Sequence, residues 1–258
     1  MGMWNYTTIE EFFLLGLTSL PSLQIILFAI FLPCYILSLK GNLAIIVISR
    51  ISPRLYTPMY FFLSHLSFLD IWHTSVIVPV MLRNFLLERK SISFNGCTTQ
   101  MFIHLSLGGT ECFLLLSMAY DRYVAICVPL HYTTIMHPAL CIKMATSSWV
   151  GGIVNSIVHT VLALQLPFCG PNVINHFFCE VPSVLELACA DTSVNKTVIF
   201  FYFLFARYFL DGMLSSLYGY IISSILKIQL SRTRKAFSTC FHYYSCFPLF
   251  YGTIIFII

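Results

Sequence analysis

Charge is what this chain has least of: 14 basic and 10 acidic residues among 258, or 9%. A globular sequence ordinarily devotes about a quarter of its residues to Asp, Glu, Lys and Arg, so a water-soluble fold is excluded. Metal-binding spacings are missing too, since no two of the ten cysteines form a C-x-x-C pair. The eight histidines are scattered, without the nucleophile–base or metal constellation that an enzyme site requires. No internal repeat and no pair of Gly/Pro-broken helices marks a transporter. No linker, low-complexity tract or second domain interrupts the chain. An enzyme is therefore not expected. Nor is a nucleic-acid partner, because membrane topology accounts for the net charge of +4.

Apolar residues are what remain, at 58% of the chain with a mean hydropathy of +0.85. A helix needs about 20 mostly apolar residues to cross the hydrocarbon core of a bilayer. Six segments reach that length: Leu23–Ser49, Met59–Met81, Cys97–Cys127, Leu140–Leu166, Thr197–Leu226 and Phe237–Ile258. Lipid admits only helices and closed barrels, and runs this long exclude barrel strands of about 10 residues. The expected fold is all-α, a single polytopic domain over residues 1–258, with 1–22 as a tail and 23–258 as six spans and their loops. The first apolar run is too long for a cleavable signal and has no basic leader.

Lys and Arg concentrate in cytoplasmic loops, which orients the bundle. Arg50 and Arg54, Arg122 and Lys143, and Lys227, Arg232, Arg234 and Lys235 fall on one side. The other side holds Arg83, Arg89, Lys90 and Lys196, diluted by Glu88, Glu180, Glu186 and Asp191. The amino terminus is thus expected outside. Two N-x-[ST] sequons share that side, Asn5-Tyr6-Thr7 as the first glycosylation candidate and Asn195-Lys196-Thr197 as a second, close to the bilayer. Cys97, Cys169, Cys179 and Cys189 lie there as well. Four cysteines in an oxidising lumen allow three pairings, and the residues alone choose none.

The strongest local pattern is Met118-Ala119-Tyr120-Asp121-Arg122-Tyr123-Val124-Ala125-Ile126-Cys127, followed by Pro129-Leu130-His131-Tyr132. Gly41-Asn42 stands in the first span, Tyr56-Thr57-Pro58-Met59-Tyr60-Phe61-Phe62-Leu63-Ser64 opens the second, and Leu66-Ser67-Phe68-Leu69-Asp70-Ile71 continues it. Lys235-Ala236-Phe237-Ser238-Thr239-Cys240 and Phe250-Tyr251-Gly252 belong to the sixth. In this order and at these intervals, over essentially the whole chain, the motifs resemble those of the olfactory receptors, rhodopsin-like G protein-coupled receptors. The resemblance implies a seven-span bundle of which six are present, because the chain stops at Ile258, short of the family's seventh helix and cytoplasmic tail. It implies the pairings Cys97–Cys179 and Cys169–Cys189, tethering the second outer loop over the bundle.

It also implies the function: a plasma-membrane receptor, amino end outside, that detects a small volatile odorant and activates a stimulatory heterotrimeric G protein. The coupling surface would be Asp121, Arg122, Tyr123, Tyr132 and the basic segment ending at Lys235. Helical spacing sets Met101, His104, Leu105, Gly108 and Gly109 on one face of the third span and Tyr251, Ile254, Ile255 and Ile258 on one of the sixth. Similar positions line the family's odorant pocket; ordinary packing, and a satisfied interior histidine at His104, is the alternative. Asp70 and Glu111 lie about 18 and 21 Å into their helices and approach the bilayer midplane. The family parallel is a sodium ion held by these acids with Asn42 nearby, no other cofactor being expected; a protonated hydrogen-bonded network is the competing reading. Lys40, inside the first span, is placed to compete for Asp70, and Arg207 and Asp211 to neutralise one another. Phe241-His242-Tyr243 replaces the family's usual serine-serine-histidine, which moves the histidine about 100° around the helix. A truncated receptor retained in the endoplasmic reticulum and not signalling is one alternative outcome, and a small-molecule transporter a more distant one.

Overall fold

A computed structural model of the chain describes residues 10–18, 20–87, 89–169 and 172–202, with Leu204, Gly212 and Gly219. Four helices in it are long and apolar enough to cross a membrane. They are α1 (Pro21–Ile51), α2 (Pro58–Leu86), α3 (Phe94–Cys127) and, after the short α4 (Tyr132–Ile135), α5 (Pro138–Leu164). Three of the four begin on proline, whose missing N–H is one of the donors a helix start leaves unpaired anyway. The fourth begins under Ser93, whose hydroxyl accepts the Gly96 N–H at 3.1 Å. Each helix starts one to three residues before its apolar run; α2 continues to Leu86, five residues past Met81, whereas α5 stops at Leu164, two residues short of Leu166. Residues 193–202 are helical, where the fifth expected span begins. The rest of that span, apart from the isolated positions named above, and the whole of the sixth lie outside the described residues, as do Arg207, Asp211 and His242.

The central helix is α3. Half of its most apolar stretch is buried by the protein, against none of the corresponding stretch of α1. Its most extensive packing is against α5, at a surface of small residues. A Cβ on Gly109 would stand 3.1 Å from the Gly152 Cα, and a Cβ on Gly152 would stand 2.5 Å from the Ser106 carbonyl oxygen and 2.6 Å from the Thr110 nitrogen. Lipid tails are as apolar as leucine, so helices in a bilayer gain from close van der Waals approach rather than from hiding oil. Ser156 strengthens the seam by donating its hydroxyl to the Phe102 carbonyl at 2.5 Å. Across the bundle, Trp149 on α5 donates its indole N–H to His65 on α2 at 3.3 Å.

One end of the bundle is capped by a small sheet that residue patterning did not suggest. The tail strand β1 (Glu11–Leu14) lies between β2 (Ser91–Ser93) and β3 (Val173–Ile174). It pairs antiparallel with β2, Phe12 opposite Ile92, and parallel with β3, Leu14 opposite Ile174. Strand alternation points Phe12 and Leu14 inward, where they are 1% and 3% exposed. Beneath them lies a core of Cys97, Met101, Ala163, Ile174, Cys179, Val181 and Val184, the last two from the short helix α6 (Val181–Leu185). A second core, of Phe62, Leu69, Leu107, Leu114, Met118, Val124, Met136 and Cys141, fills the opposite end.

The α3–α5 contact yields a direct test. Gly152→Ala should lower the stability of the purified chain by about 1–3 kcal/mol, the usual cost of overpacking, in a thermal unfolding measurement. Gly41→Ala, where no described atom lies within 4 Å of the new carbon, should stay within about 0.5 kcal/mol of the parent.

Candidate functional site

At the sheet end, the long loop between α5 and residue 193 is pinned to α3. Cys97, in the first turn of α3, is bonded to Cys179, their Cα atoms 5.3 Å apart. Cys169 is bonded to Cys189, Cα atoms 5.8 Å apart, closing a smaller loop. The structure thus brings together both pairs that the motif resemblance implied. Gln100, one turn below Cys97, adds a polar clamp: its carbonyl oxygen accepts the Cys179 N–H at 2.9 Å and its amide donates to the Val76 carbonyl on α2 at 2.9 Å. It is 3% exposed with both ends of the amide in use. Sequence reasoning passed over Gln100, although an uncharged polar residue in a span, one turn from a bridged cysteine, is a usable signal.

Below the clamp lies a layer of imidazoles and aromatic rings. His104 Nδ1 is 2.8 Å from His73 Nε2 on α2, and its ring centroid is 5.1 Å from Phe178 on the loop. Phe178 in turn meets His176 at 4.6 Å and Phe177 at 5.0 Å. Of the five expected ligand positions on α3, His104 borders this layer. Met101 is buried in the loop core with Leu105 against it, and Gly108 has no described atom within 4 Å of a built Cβ. Gly109 turns away to the α5 seam, where the close approach to Gly152 accounts for it. Tyr251, Ile254, Ile255 and Ile258 lie outside the described residues. His73, His176 and Phe178 belong to the layer and escaped sequence reasoning, because only packing of the loop onto α2 and α3 unites them.

Near mid-bundle, Glu111 is 7% exposed and lies within electrostatic range of Asp70. Two carboxylates that feel one another in a low-dielectric setting require a cation or protons. Asn42 turns its amide nitrogen back on its own helix, donating to the Ser38 carbonyl at 3.1 Å, so it has only its carbonyl oxygen to offer. Among the described residues no three His, Cys, Asp or Glu side chains converge. The two carboxylates are hard oxygen donors of the kind a sodium ion takes. Lys40 does not compete for Asp70: it is exposed on α1, and the ion pair formed among the described residues is Asp121–Arg122.

At the far end of α3, Asp121 is fully buried, 0% exposed. Its Oδ1 accepts the Tyr132 hydroxyl at 2.7 Å, and its Oδ2 lies 3.1 Å from the Arg122 guanidinium. The second contact is ionic, without the alignment of a hydrogen bond, as neighbours on a helix would have it. Arg122 stays a quarter exposed. Tyr132 reaches Asp121 because a 3-10 turn at Pro129–His131 leads directly into α4. Burial, the Asp121 hydrogen bond and the Asp121 charge, in that order, push the Tyr132 phenol up from its ordinary value, so it remains the donor. Tyr123 packs beside Tyr120, ring centroids 6.4 Å apart; Lys235 lies outside the described residues.

Residues 31–258 match the olfactory receptor family. Olfactory receptor 2G3 of Homo sapiens is 45% identical over 258 residues, covering 100% of this chain and 84% of that protein. Olfactory receptor 2C3 of Homo sapiens is 47% identical, covering 99% and 80%, and the olfactory receptor-like protein OLF1 of Canis lupus familiaris is 46% identical, covering 98% and 82%. The chain belongs to the olfactory receptor family. The bundle is accordingly rhodopsin-like and all-α, in a multi-pass membrane protein. In this olfactory receptor one expected modification site is corrected by the fold. Asn195 is 6% exposed, and its amide nitrogen, the atom a glycan would occupy, donates to the Leu162 carbonyl at 2.8 Å. It closes the end of α5 rather than presenting an acceptor; Asn5 lies outside the described residues.

Tyr132→Phe keeps the ring and removes only the donor to Asp121. With a buried carboxylate oxygen left unsatisfied, unfolding stability should fall by about 1–3 kcal/mol, read by thermal or chemical denaturation of the purified receptor.

Proposed function

We propose that this receptor binds a small, volatile, largely apolar odorant beside the His73–His104 layer and relays binding along α3 to a heterotrimeric G protein of the stimulatory class. The observation that carries the reading is the arrangement at Asp121. A buried carboxylate held by one firm hydrogen bond and one loose ionic contact keeps a half-released arginine at the helix end. Exchange of that contact for one with a partner needs little rearrangement, which is how a local charge pair biases a two-state element. The positive-inside distribution supports the same sidedness, with Arg122 and Tyr132 facing cytosol and the disulfide-tied loop facing outside at the plasma membrane. The apolar walls and few polar groups beneath that loop suit a small-molecule site.

Asp70 and Glu111 are the residues that would hold a sodium ion, which supplies positive charge to two carboxylates that lipid cannot solvate. The remaining work falls to this chain's own groups: Gln100 seats the loop, His73 and His104 face the ligand, and Tyr132 steadies Asp121.

Two measurements test this. In a cyclic-AMP assay with surface copies counted through an amino-terminal tag, Arg122→Ala should abolish the odorant response and leave the surface count unchanged; a retained response would refute the coupling role. Replacing external sodium should alter the response of the parent receptor and leave that of Asp70→Asn unaltered. Equal sodium dependence in both removes the ion from this site.

A further inference from the structure

The imidazole pair joining α2 and α3 has a chemistry that goes beyond apolar binding. His73 Nε2 and His104 Nδ1 are 2.8 Å apart, so one of the two is an N–H and the other a lone pair. Each neutral ring carries one proton. Whichever way the bridge points, the pair therefore turns outward one N–H and one bare nitrogen, at His73 Nδ1 and His104 Nε2. Neither outward atom hydrogen-bonds to a described residue, and neither is sealed in the interior. A third imidazole stands over them on the loop: His176 shares the Phe178 ring with His104, and its Nδ1 is buried with no hydrogen-bond partner among the described residues. Phe178 closes the layer from above. One turn below His104 on the same face, Gly108 has no described atom within 4 Å of a built Cβ.

We propose that the ligands of this site are small carboxylic acids, which give their proton to the His73–His104 dyad and remain bound to it as carboxylates. The proposal rests on the odorant reading and specifies its ligand class. In the step, the acid's proton, carried on its O–H or already released to water, joins the bare outward nitrogen. The dyad becomes a monocation with an N–H at each outward position, and the carboxylate oxygen left behind accepts from it. The bridge survives, because a single added proton fills the single bare outward site; a second would have to break it. The resulting bond is charge-assisted, roughly twice as strong as its neutral counterpart. Alcohols and aldehydes bring no proton acidic enough and gain only the neutral bond. A primary amine arrives already protonated and finds no carboxylate among the described residues of this layer.

The test uses the chain reconstituted in phosphatidylcholine nanodiscs, with empty discs subtracting partition into lipid. Saturable binding of octanoic acid, octan-1-ol, octanal and octylamine is compared, and the carboxyl carbon of the acid is ¹³C-labelled to report its ionisation by NMR. Octanoic acid should bind at least about tenfold more tightly than the other three, the margin of one charge-assisted bond, with the bound signal at the carboxylate position. The double variant His73→Phe with His104→Asn, which leaves no imidazole in the pair to take the proton, should lose that margin while alcohol binding is retained. Equal affinities, tighter binding of the amine, a bound signal at the protonated-acid position, or an undiminished margin in the double variant would each overturn the weak-acid site. Saturable alcohol or aldehyde binding in that case leaves odorant reception standing. Absence of saturable binding by all four would overturn the weak-acid site and count against odorant reception as well.

Discussion

Lipid solvates no polar group, and the architecture follows from that constraint. Each N–H, carbonyl, hydroxyl and carboxylate at bilayer depth must find its partner within the protein. The hydroxyls of Ser64, Thr74, Thr110, Ser117 and Ser148 meet the constraint locally by bonding carbonyls three or four residues back along their own helices. Gln100, His73, His104 and Asp121 meet it across elements, and these are the residues that join helix to loop, helix to helix and helix to turn. Polar side chains are expensive in this medium, so those that remain mark the places where the bundle is held in one arrangement.

Through α3 these places are connected. The same helix carries Cys97 and Gln100 under the loop, His104 in the imidazole layer, Glu111 near the midplane and Asp121 at its far end, over 34 residues. Gly109 and Gly152 lock it against α5 at the middle. The disulfide-tied loop and the Asp121 end are thus joined by one helix, whereas α1, none of whose most apolar stretch is buried among the described residues, packs mainly against α2. The strand Glu11–Leu14 makes the cap continuous by lying between two loop segments, so residues 11–14 are part of the roof over the imidazole layer.

How far residues alone reveal this differs from feature to feature. The spans were evident because length and apolarity suffice to place a helix in lipid, and α1, α2, α3 and α5 lie where apolar runs put them. The Asp121–Arg122 pair was evident because neighbours on one helix need no distant partner. Its third member, Tyr132, carried a signal only through motif resemblance, since its contact depends on the turn at Pro129–His131. The tail strand was invisible: four residues with two inward side chains carry no periodicity until β2 and β3 exist to pair with them. Asn195 read as an acceptor because a sequon is a local pattern, and burial against Leu162 is not.

Composition and apolar run length by themselves determined that the chain crosses a membrane as helices, and ordered motifs determined its family. Those properties follow from each segment's own free energy of transfer into lipid and need no neighbour. Only the tertiary structure decided that His73 and His104 share a hydrogen bond, that Gln100 clamps Cys179, that Gly109 faces Gly152 and that Lys40 stands apart from Asp70. Each of these depends on the rotation and depth of one helix against another, which close packing sets and no single segment encodes.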